Sequence, residues 1–468
     1  MRAHAIGKGL LRARIPRAFA AAMQVLQLQD ADATLLRQLH DEDWKRLLPM
    51  LDRARLTLPL AQQVHSGFPG WVEERLSSNL ADTAKNWHRV QAAYQEAASA
   101  LDAKGIEYLV LKGFTQAPDF VPKAEQRRQS DIDFYVPPGQ IQSAVGCLKE
   151  IGYAPHDTEE ISKSADHVPT LLRFGAWKWR GNWYDPDTPP AVELHFCFWN
   201  ASVSSIAIPE VDEFWKRRIF RAYESLIFPA LHPVDHLAYF AMHILRDIFN
   251  EELRAHHVWE LGSFLYRRAK DDAFWKDWVA MHSSRSRSMQ AIAFSLAVAW
   301  FSCGVPDAIR FEIDSLPPNI RAWIKRCAPT PLEAQFRRTR DGRLLQYLLA
   351  DRTKARKTIL REALIPNRLP GPTMVASRRM HASLRATPKL IFSCLAYPAH
   401  MVSRLWMNAD AVRRFLVNAC LVHISSAWHR AVSSRDVGGA RADSSRRLRI
   451  LFGPRIGSYC NRAPGLRK

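Results

Sequence analysis

The chain has 468 residues, 47% of them hydrophobic and 24% charged, which is ordinary for a globular protein and excludes a fibrous or wholly disordered chain. Its 66 Lys and Arg against 46 Asp and Glu give a formal net charge of +20. The excess lies in residues 337–468, where 27 basic and 6 acidic side chains leave +21. One interpretation is that this segment binds nucleic acid or another anionic surface. The other is that it is an Arg-rich extension whose charge only keeps it soluble.

The cysteines, the N-terminal stretch and the longest apolar runs indicate the cellular compartment. The seven Cys residues are widely spaced and form no CxxC pair, so neither a disulfide framework nor a cysteine zinc site is predicted. Arg14 and Arg17 interrupt the basic N-terminal stretch, which does not favour a secretory signal. No apolar run reaches the about 18 residues that predict a membrane span. We therefore expect a cytoplasmic protein without a transmembrane segment.

Secondary structure is predicted to change in type along the chain. Residues 1–100 are predicted to be a helical region, because apolar side chains recur at spacings of three and four within 44–51 and 86–101. Residues 101–205 predict a mixed core, with a helix at 141–151 and strands at 106–111, 131–136, 171–177 and 191–198. Residues 206–350 are predicted to be a helical domain. Residues 351–468 are a basic C-terminal extension whose last 40 residues, rich in Ser, Gly and Arg, are predicted to be disordered.

Two aspartates at the start of a predicted strand give the strongest chemical signal. In DIDFYV at 131–136, the side chains of Asp131 and Asp133 share one face because strand side chains alternate in direction. Two adjacent carboxylates repel each other unless a cation lies between them, and Mg²⁺ prefers oxygen ligands. The alternative interpretation is a solvated strand end.

A turn and a basic loop precede this strand. Lys112 and Gly113 follow an apolar run and are predicted to lead into a helix, where backbone N–H groups and an ammonium favour an anion. Arg127 and Arg128 are secondary candidates for phosphate contacts. A surface lysine at a turn is the alternative for Lys112.

A third acidic side chain comes from VELHF at 192–196, where Glu193 and His195 share one strand face. A third carboxylate beside two others is what two-metal phosphoryl transfer requires. The alternatives are a structural salt bridge from Glu193 to Arg127 or Arg128, and a buried, hydrogen-bonded His195.

The chain resembles an uncharacterised nucleotidyltransferase family of the DNA polymerase β-like superfamily. The resemblance lies in LKG, the Arg-containing loop, DIDFYV and VELHF. The resemblance is sharpest over residues 100–200. It implies that Lys112 and Gly113 hold the triphosphate, that Asp131 and Asp133 bind metal, and that Glu193 supplies the third acid. His195 matches a residue that often follows this acid. The superfamily usually has Gly-Ser at the turn, whereas this chain has Lys-Gly.

The resemblance implies an α+β fold with a small mixed-sheet nucleotidyltransferase core flanked by N-terminal and C-terminal helical regions. It implies Mg²⁺- or Mn²⁺-dependent transfer of a nucleoside monophosphate from an NTP to a hydroxyl-bearing acceptor, whose identity the sequence does not give. The alternative is a non-catalytic nucleotide- or RNA-binding protein that retains the fold. A kinase-like reaction and a membrane-surface protein are further alternatives.

Overall fold

The computed structural model describes residues 14–64, 66–155, 166–173, 175, 177–364 and 409–427. Within these residues, helices predominate and seven short strands form one mixed sheet. The sheet is flanked by helices that precede it and helices that follow it in the chain. The predicted α+β class, with a small mixed sheet between two helical regions, is confirmed.

The described residues before the sheet are mostly helical. The helices among them are α1 Arg17–Val25, α2 Thr34–Arg37, α3 Asp41–Ala54, α4 Thr57–Gln63 and α5 Gly70–Ala103. Three acidic residues in the first turn of α3 complement the positive end of its helix dipole. Arg55, directly after this helix, has a left-handed backbone conformation with φ of 56°.

The sheet mixes parallel and antiparallel pairs. Its strands, with the intervening helix α6 Ile141–Glu150, are β1 Leu109–Val110, β2 Asp131–Tyr135, β3 Ala154–Pro155, β4 Leu171–Leu172, β5 Ala191–His195, β6 Ile219–Tyr223 and β7 Leu226–Ala230. The spatial order is β3-β4-β5-β2-β1-β7-β6. The pairs β2–β5 and β1–β7 are parallel, and the other neighbours are antiparallel. The two longest central strands, β2 and β5, therefore run side by side in the same direction.

The hairpin of β6 and β7 was not predicted, because residues 206–350 were expected to be helical. The hairpin turns at Glu224 and Ser225, without the Gly or Asn that marks most tight turns. Its outward positions hold Phe220 and Ile227, which are 78% and 73% exposed. These apolar side chains remove the alternation of apolar and polar residues by which a half-buried strand is recognised.

The helices after the sheet account for the rest of the described chain. They are α7 Ala201–Ser204, α8 Glu213–Lys216, α9 Pro233–Asn250, α10 Ala255–Arg267, α11 Asp272–Met281, α12 Ser284–Phe301, α13 Asp307–Ser315, α14 Pro318–Cys327, α15 Thr330–Glu333, α16 Asp341–Leu349 and α17 Thr353–Leu364. Residues 409–427 are also helical. None of the helices in the described ranges has the length and apolar character that crossing a bilayer requires.

Two apolar clusters hold the fold together. One lies between the sheet and the second half of α5, where Tyr94 packs against Phe134 of β2 and Phe228 of β7. The other joins the N-terminal helices to α9, α10 and α12, which are almost wholly buried. Helix α5 contributes to both clusters, so it links the helical part to the sheet. Burial of this apolar surface is the main force that stabilises the arrangement.

The basic C-terminal extension is described only at residues 351–364 and 409–427. The predicted disorder of the last 40 residues falls outside the described residues.

Candidate functional site

The parallel pairing of β2 and β5 builds the site. Asp133 lies directly beside Glu193 in the ladder, Asp131 beside Ala191, and Tyr135 beside His195. Residues at even spacing share one face of a strand. Asp131, Asp133, Glu193 and His195 therefore project from the same face of the sheet. The opposite face of both strands carries fully buried apolar side chains, which pack in the core between the sheet and α5.

Asp133 is the most enclosed of the carboxylates, at 3% exposed. Its Oδ1 lies 2.8 Å from Nζ of Lys112 and 2.9 Å from Nε2 of His195. Burial acts to raise the pKa of Asp133. The charge of Lys112 and the contact with His195 outweigh burial and hold that pKa well below its ordinary value. Asp133 is therefore ionised, with two nitrogen partners on one of its oxygens.

Glu193 lies at the edge of this cluster. Its Oε1 accepts a hydrogen bond of 3.0 Å from the Thr170 hydroxyl, and its Oε2 lies 3.8 Å from Nε2 of His195. Burial raises the pKa of Glu193, and the negative charges of Asp133 and Asp131 raise it further. Three carboxylates thus repel one another on one face of the sheet, and a bound cation would relieve the repulsion.

The donor atoms suit a hard divalent cation. The donor atoms of Asp133, Glu193 and His195 lie within 4.8 Å of one another. Asp131 is two residues from Asp133 on the same strand, or about 7 Å between their Cα atoms. Its carboxylate makes no hydrogen bond or ion pair to any described residue, so its oxygens are available. Carboxylate oxygens are the ligands that Mg²⁺ and Mn²⁺ prefer. Asp131, Asp133 and Glu193 would hold the ion, and His195 would keep its contact with Asp133.

His195 is fully buried and connects the acidic cluster to a second ion pair. Its Nδ1 lies 3.8 Å from Oδ2 of Asp166, which is ion-paired with Arg246 of α9. Burial acts to lower the pKa of His195, but the carboxylates of Asp133 and Asp166 outweigh it and raise that pKa. Sequence reasoning missed Asp166 and Arg246, because neither belongs to a motif and 79 intervening residues separate them in the chain.

Lys112 reaches Asp133 through the backbone. The N–H of Leu111 donates a 3.0 Å hydrogen bond to the carbonyl of Asp133, which brings the next residue, Lys112, beside the carboxylate. The helix predicted after Lys112 is a single 3₁₀ turn, Gly113–Gln116, and all four of its residues are buried. A turn this short presents no N-terminal array of free N–H groups comparable to that of a long helix.

Gly113 is required by its backbone and by its neighbour. Its φ of +73° is a left-handed conformation that favours glycine. A Cβ atom at this position would lie 2.1 Å from Nε2 of Gln129. That same nitrogen donates a 2.7 Å hydrogen bond to the carbonyl of Asp131. Gln129 therefore covers the Gly113 turn and fixes the start of β2, a link that the sequence motifs did not reveal.

The two arginines of the predicted phosphate loop have different partners. Arg127 forms an ion pair with Glu260 of α10, with N–O distances of 2.8 and 3.4 Å, and both side chains are nearly buried. Arg128 donates from Nε to the carbonyl of Trp183, and its guanidinium lies 5.6 Å from the Trp183 ring centroid. Neither arginine pairs with Glu193. The acid that sequence reasoning considered as their partner is instead part of the carboxylate cluster.

Comparison with known proteins decides the family. A family model described as an uncharacterised nucleotidyltransferase matches residues 40–302, more than half of the chain. The chain belongs to this nucleotidyltransferase family. The match extends from α3 to the end of α12 and includes β2 and β5. The matched region therefore contains helices on both sides of the sheet. No curated protein and no solved structure matches the chain.

Proposed function

We propose that the protein transfers a nucleoside monophosphate from an NTP to a hydroxyl-bearing acceptor with the help of Mg²⁺ or Mn²⁺. The carboxylate cluster on β2 and β5 carries this proposal. Asp133 and Glu193 are direct neighbours in the ladder, and the charges of Asp131 and Asp133 raise the pKa of Glu193. Three mutually repelling carboxylates next to a lysine are suited to a metal-bound nucleotide.

Each group has a distinct part in the proposed reaction. A divalent ion, when bound, neutralises the phosphate oxygens on which charge develops. Asp131, Asp133 and Glu193 would hold it. Glu193 would also accept the proton of the acceptor hydroxyl while the acceptor oxygen bonds to the α-phosphorus. The bond from the α-phosphorus to the bridging oxygen breaks, and pyrophosphate leaves. Lys112 keeps Asp133 ionised and oriented.

The non-catalytic binding protein remains a second candidate because of one contact. Both Lys112 and His195 already approach the same oxygen of Asp133, at 2.8 and 2.9 Å. A carboxylate neutralised in this way has less need of a metal ion. This candidate predicts that nucleotide binds and is never consumed.

The test follows label from each of the four α-labelled NTPs into a lysate of candidate acceptors, with Mg²⁺, with Mn²⁺ and with EDTA. Asp131→Asn and Glu193→Gln are the informative variants, because they keep shape and remove charge. Asp187→Asn is the matched control, since Asp187 is exposed and pairs with Arg89 at 2.7 Å. We expect transfer with either metal, none in EDTA, and loss in both site variants but not in the control.

The products separate the alternatives. Release of pyrophosphate with label on an acceptor supports nucleotidyl transfer, whereas release of a nucleoside diphosphate indicates a kinase-like reaction. Metal-dependent nucleotide binding that Asp131→Asn weakens, with no turnover of any NTP, supports the binding protein. Equal transfer by the wild type and the Asp131→Asn variant would remove the assignment of the site.

A further inference from the structure

An open cleft lies beside the start of β2, between α4 and α10. The empty space in and in front of the cleft, open solvent included, is about 380 Å³. We call it the arginine cleft, and its polar lining consists chiefly of Arg55, Arg127, Arg128, Tyr184, His256 and Glu260.

The arginine cleft has uncompensated positive charge. It contains three arginines and one carboxylate, and that carboxylate, Glu260, pairs with Arg127. Arg128 contacts the carbonyl and the ring of Trp183, which are neutral groups. The side chain of Arg55 makes no hydrogen bond or ion pair to any described residue. The guanidinium groups of Arg55 and Arg128 therefore lack a carboxylate at contact distance. Such groups are suited to binding an anionic ligand.

Burial makes this charge costly. The pKa of Arg55 falls to about 9 because its surroundings are desolvated and because Arg254 and Arg128 are nearby. Asp131 is the acidic group whose charge acts in the opposite direction on both Arg55 and Arg128. Arg128, which lines the arginine cleft, precedes Asp131 by three residues in the chain, so an anion bound there would lie near the proposed metal ligands.

A second feature of the arginine cleft also points to a ligand. His256, which lines it, is 3% exposed, and neither ring nitrogen has a hydrogen-bond partner among the described residues. A buried polar group without a partner costs free energy, which a ligand that hydrogen-bonds with it would recover. His256 is the second residue of α10, and no side chain caps the start of this helix. The uncapped N–H groups favour an anion at the same end of the arginine cleft.

The turn at Gly113 is poorly placed to compete for that anion. Residues Gly113–Gln116 are all buried, and the side chain of Gln129 covers Gly113. A phosphate chain needs donors that it can reach. The open, arginine-lined surface beside Asp131 meets this need, and the covered turn does not.

We propose that the arginine cleft binds the triphosphate of the donor nucleotide, with Arg55 and Arg128 as ligands and His256 as a further donor. This inference rests on the proposed nucleotidyl transfer, because it places the triphosphate next to Asp131. It assigns a substrate contact to Arg55, which lies outside the strand motifs and more than 70 residues before Asp131 in the chain.

The test is calorimetric titration of the full chain with inorganic tripolyphosphate in EDTA, at constant ionic strength because charge contacts are screened by salt. We expect Arg55→Gln to weaken binding about 10-fold or more, which corresponds to loss of a hydrogen bond between charged groups. Arg128→Gln should weaken binding in the same way. Arg53→Gln is the matched control, since Arg53 is exposed on the last turn of α3. Because every variant keeps the basic C-terminal extension, nonspecific binding there is common to all.

Asp131→Asn provides a readout that a structural role would not produce. Without metal, removal of its negative charge should strengthen tripolyphosphate binding while transfer is lost. Equal binding by wild type and Arg55→Gln would overturn the proposal. So would AMP or inorganic phosphate binding as tightly as tripolyphosphate with the same dependence on Arg55, because the site would then accept a single phosphate of another molecule.

The two proposals fail separately. Arg55-dependent tripolyphosphate binding in a protein that never transfers label removes the proposed function and leaves the arginine cleft as an anion site. If transfer depends on metal but Arg55→Gln changes neither KM for the NTP nor kcat, the arginine cleft is not the triphosphate site. The proposal for the carboxylate site then remains. Measurement of the thermal unfolding midpoint of each variant identifies any loss that is due to misfolding.

Discussion

The ammonium of Lys112 lies 2.8 Å from Oδ1 of Asp133, and both side chains are largely withdrawn from solvent, at 15% and 3% exposed. The contact joins the end of β1 to the centre of β2. It fixes Oδ1 of Asp133, and under the proposed function the other oxygen would bind the metal ion. Lys112 is therefore as much a part of the carboxylate cluster as a candidate phosphate ligand.

Replacement of Lys112 by Met should lower stability strongly. Breaking a buried ion pair from one side costs about 3 kcal/mol, because the remaining charge stays buried. Lys104→Met is the control, since Lys104 pairs with Glu150 at the surface and such pairs contribute about 0–1 kcal/mol. Denaturant unfolding measures both. Saturating Mg²⁺ should restore part of the loss in Lys112→Met alone. Equal stability of the two variants would mean that Lys112 does not stabilise Asp133.

Gly113→Ala should be more damaging than an ordinary substitution at a left-handed glycine. The left-handed backbone conformation alone costs alanine about 1 kcal/mol. The new Cβ would also lie 2.1 Å from Nε2 of Gln129, which fixes the start of β2. Gly105→Ala is the matched control, with φ of +65° and no atom within 4 Å of the added Cβ. Adding Gln129→Ala to Gly113→Ala should recover the steric part of the loss, a coupling that a double-mutant cycle measures.

Arg127 is expected to act through Glu260 and not through substrate. Arg127→Met removes one side of a buried pair and should lower the free energy of unfolding by about 3 kcal/mol. Combination with Glu260→Met should recover much of this loss. Arg128→Met, whose guanidinium contacts only neutral groups of Trp183, should leave stability nearly unchanged and weaken tripolyphosphate binding. A stable Arg127→Met variant that binds tripolyphosphate poorly would show the reverse assignment.

Glu251 should make stability depend on pH near neutrality. Burial raises its pKa from 4.5 to about 7, although Arg340 and Arg343 partly oppose the shift. Between these two values the folded chain holds a proton that the unfolded chain has released, so stability falls as pH rises through the window. The loss amounts to at most about 3 kcal/mol above the upper value.

Glu251→Gln should remove this dependence. The variant should be more stable than wild type at pH above 7 and equally stable near pH 4, as measured by thermal unfolding at both values. Glu252→Gln is the matched control, because its side chain is exposed at the next position. A wild-type protein whose stability rises through this window, relative to Glu251→Gln, would contradict the expected sign.

The sequence by itself determined the chemistry of the two strands and their class of fold. Alternation requires that Asp131 and Asp133 share one face of their strand and that Glu193 and His195 share one face of theirs, whatever surrounds them. The apolar side chains between them indicate that both strands are buried. The helical regions on either side of the sheet could also be predicted, because apolar residues at spacings of three and four indicate an amphipathic helix.

Only the tertiary structure decided which strands lie side by side and in what register. The register that sets Asp133 beside Glu193 joins residues separated by 59 positions, and no local pattern specifies such a pairing. The same holds for Arg127 with Glu260, for Asp166 with Arg246, and for the hairpin that extends the sheet. Arg55 was unremarkable in the sequence, since a guanidinium becomes informative only when the fold places it in a cleft with no carboxylate at contact distance. Partners distant in the chain are chosen by packing of whole elements, and that choice is a property of the folded chain as a whole.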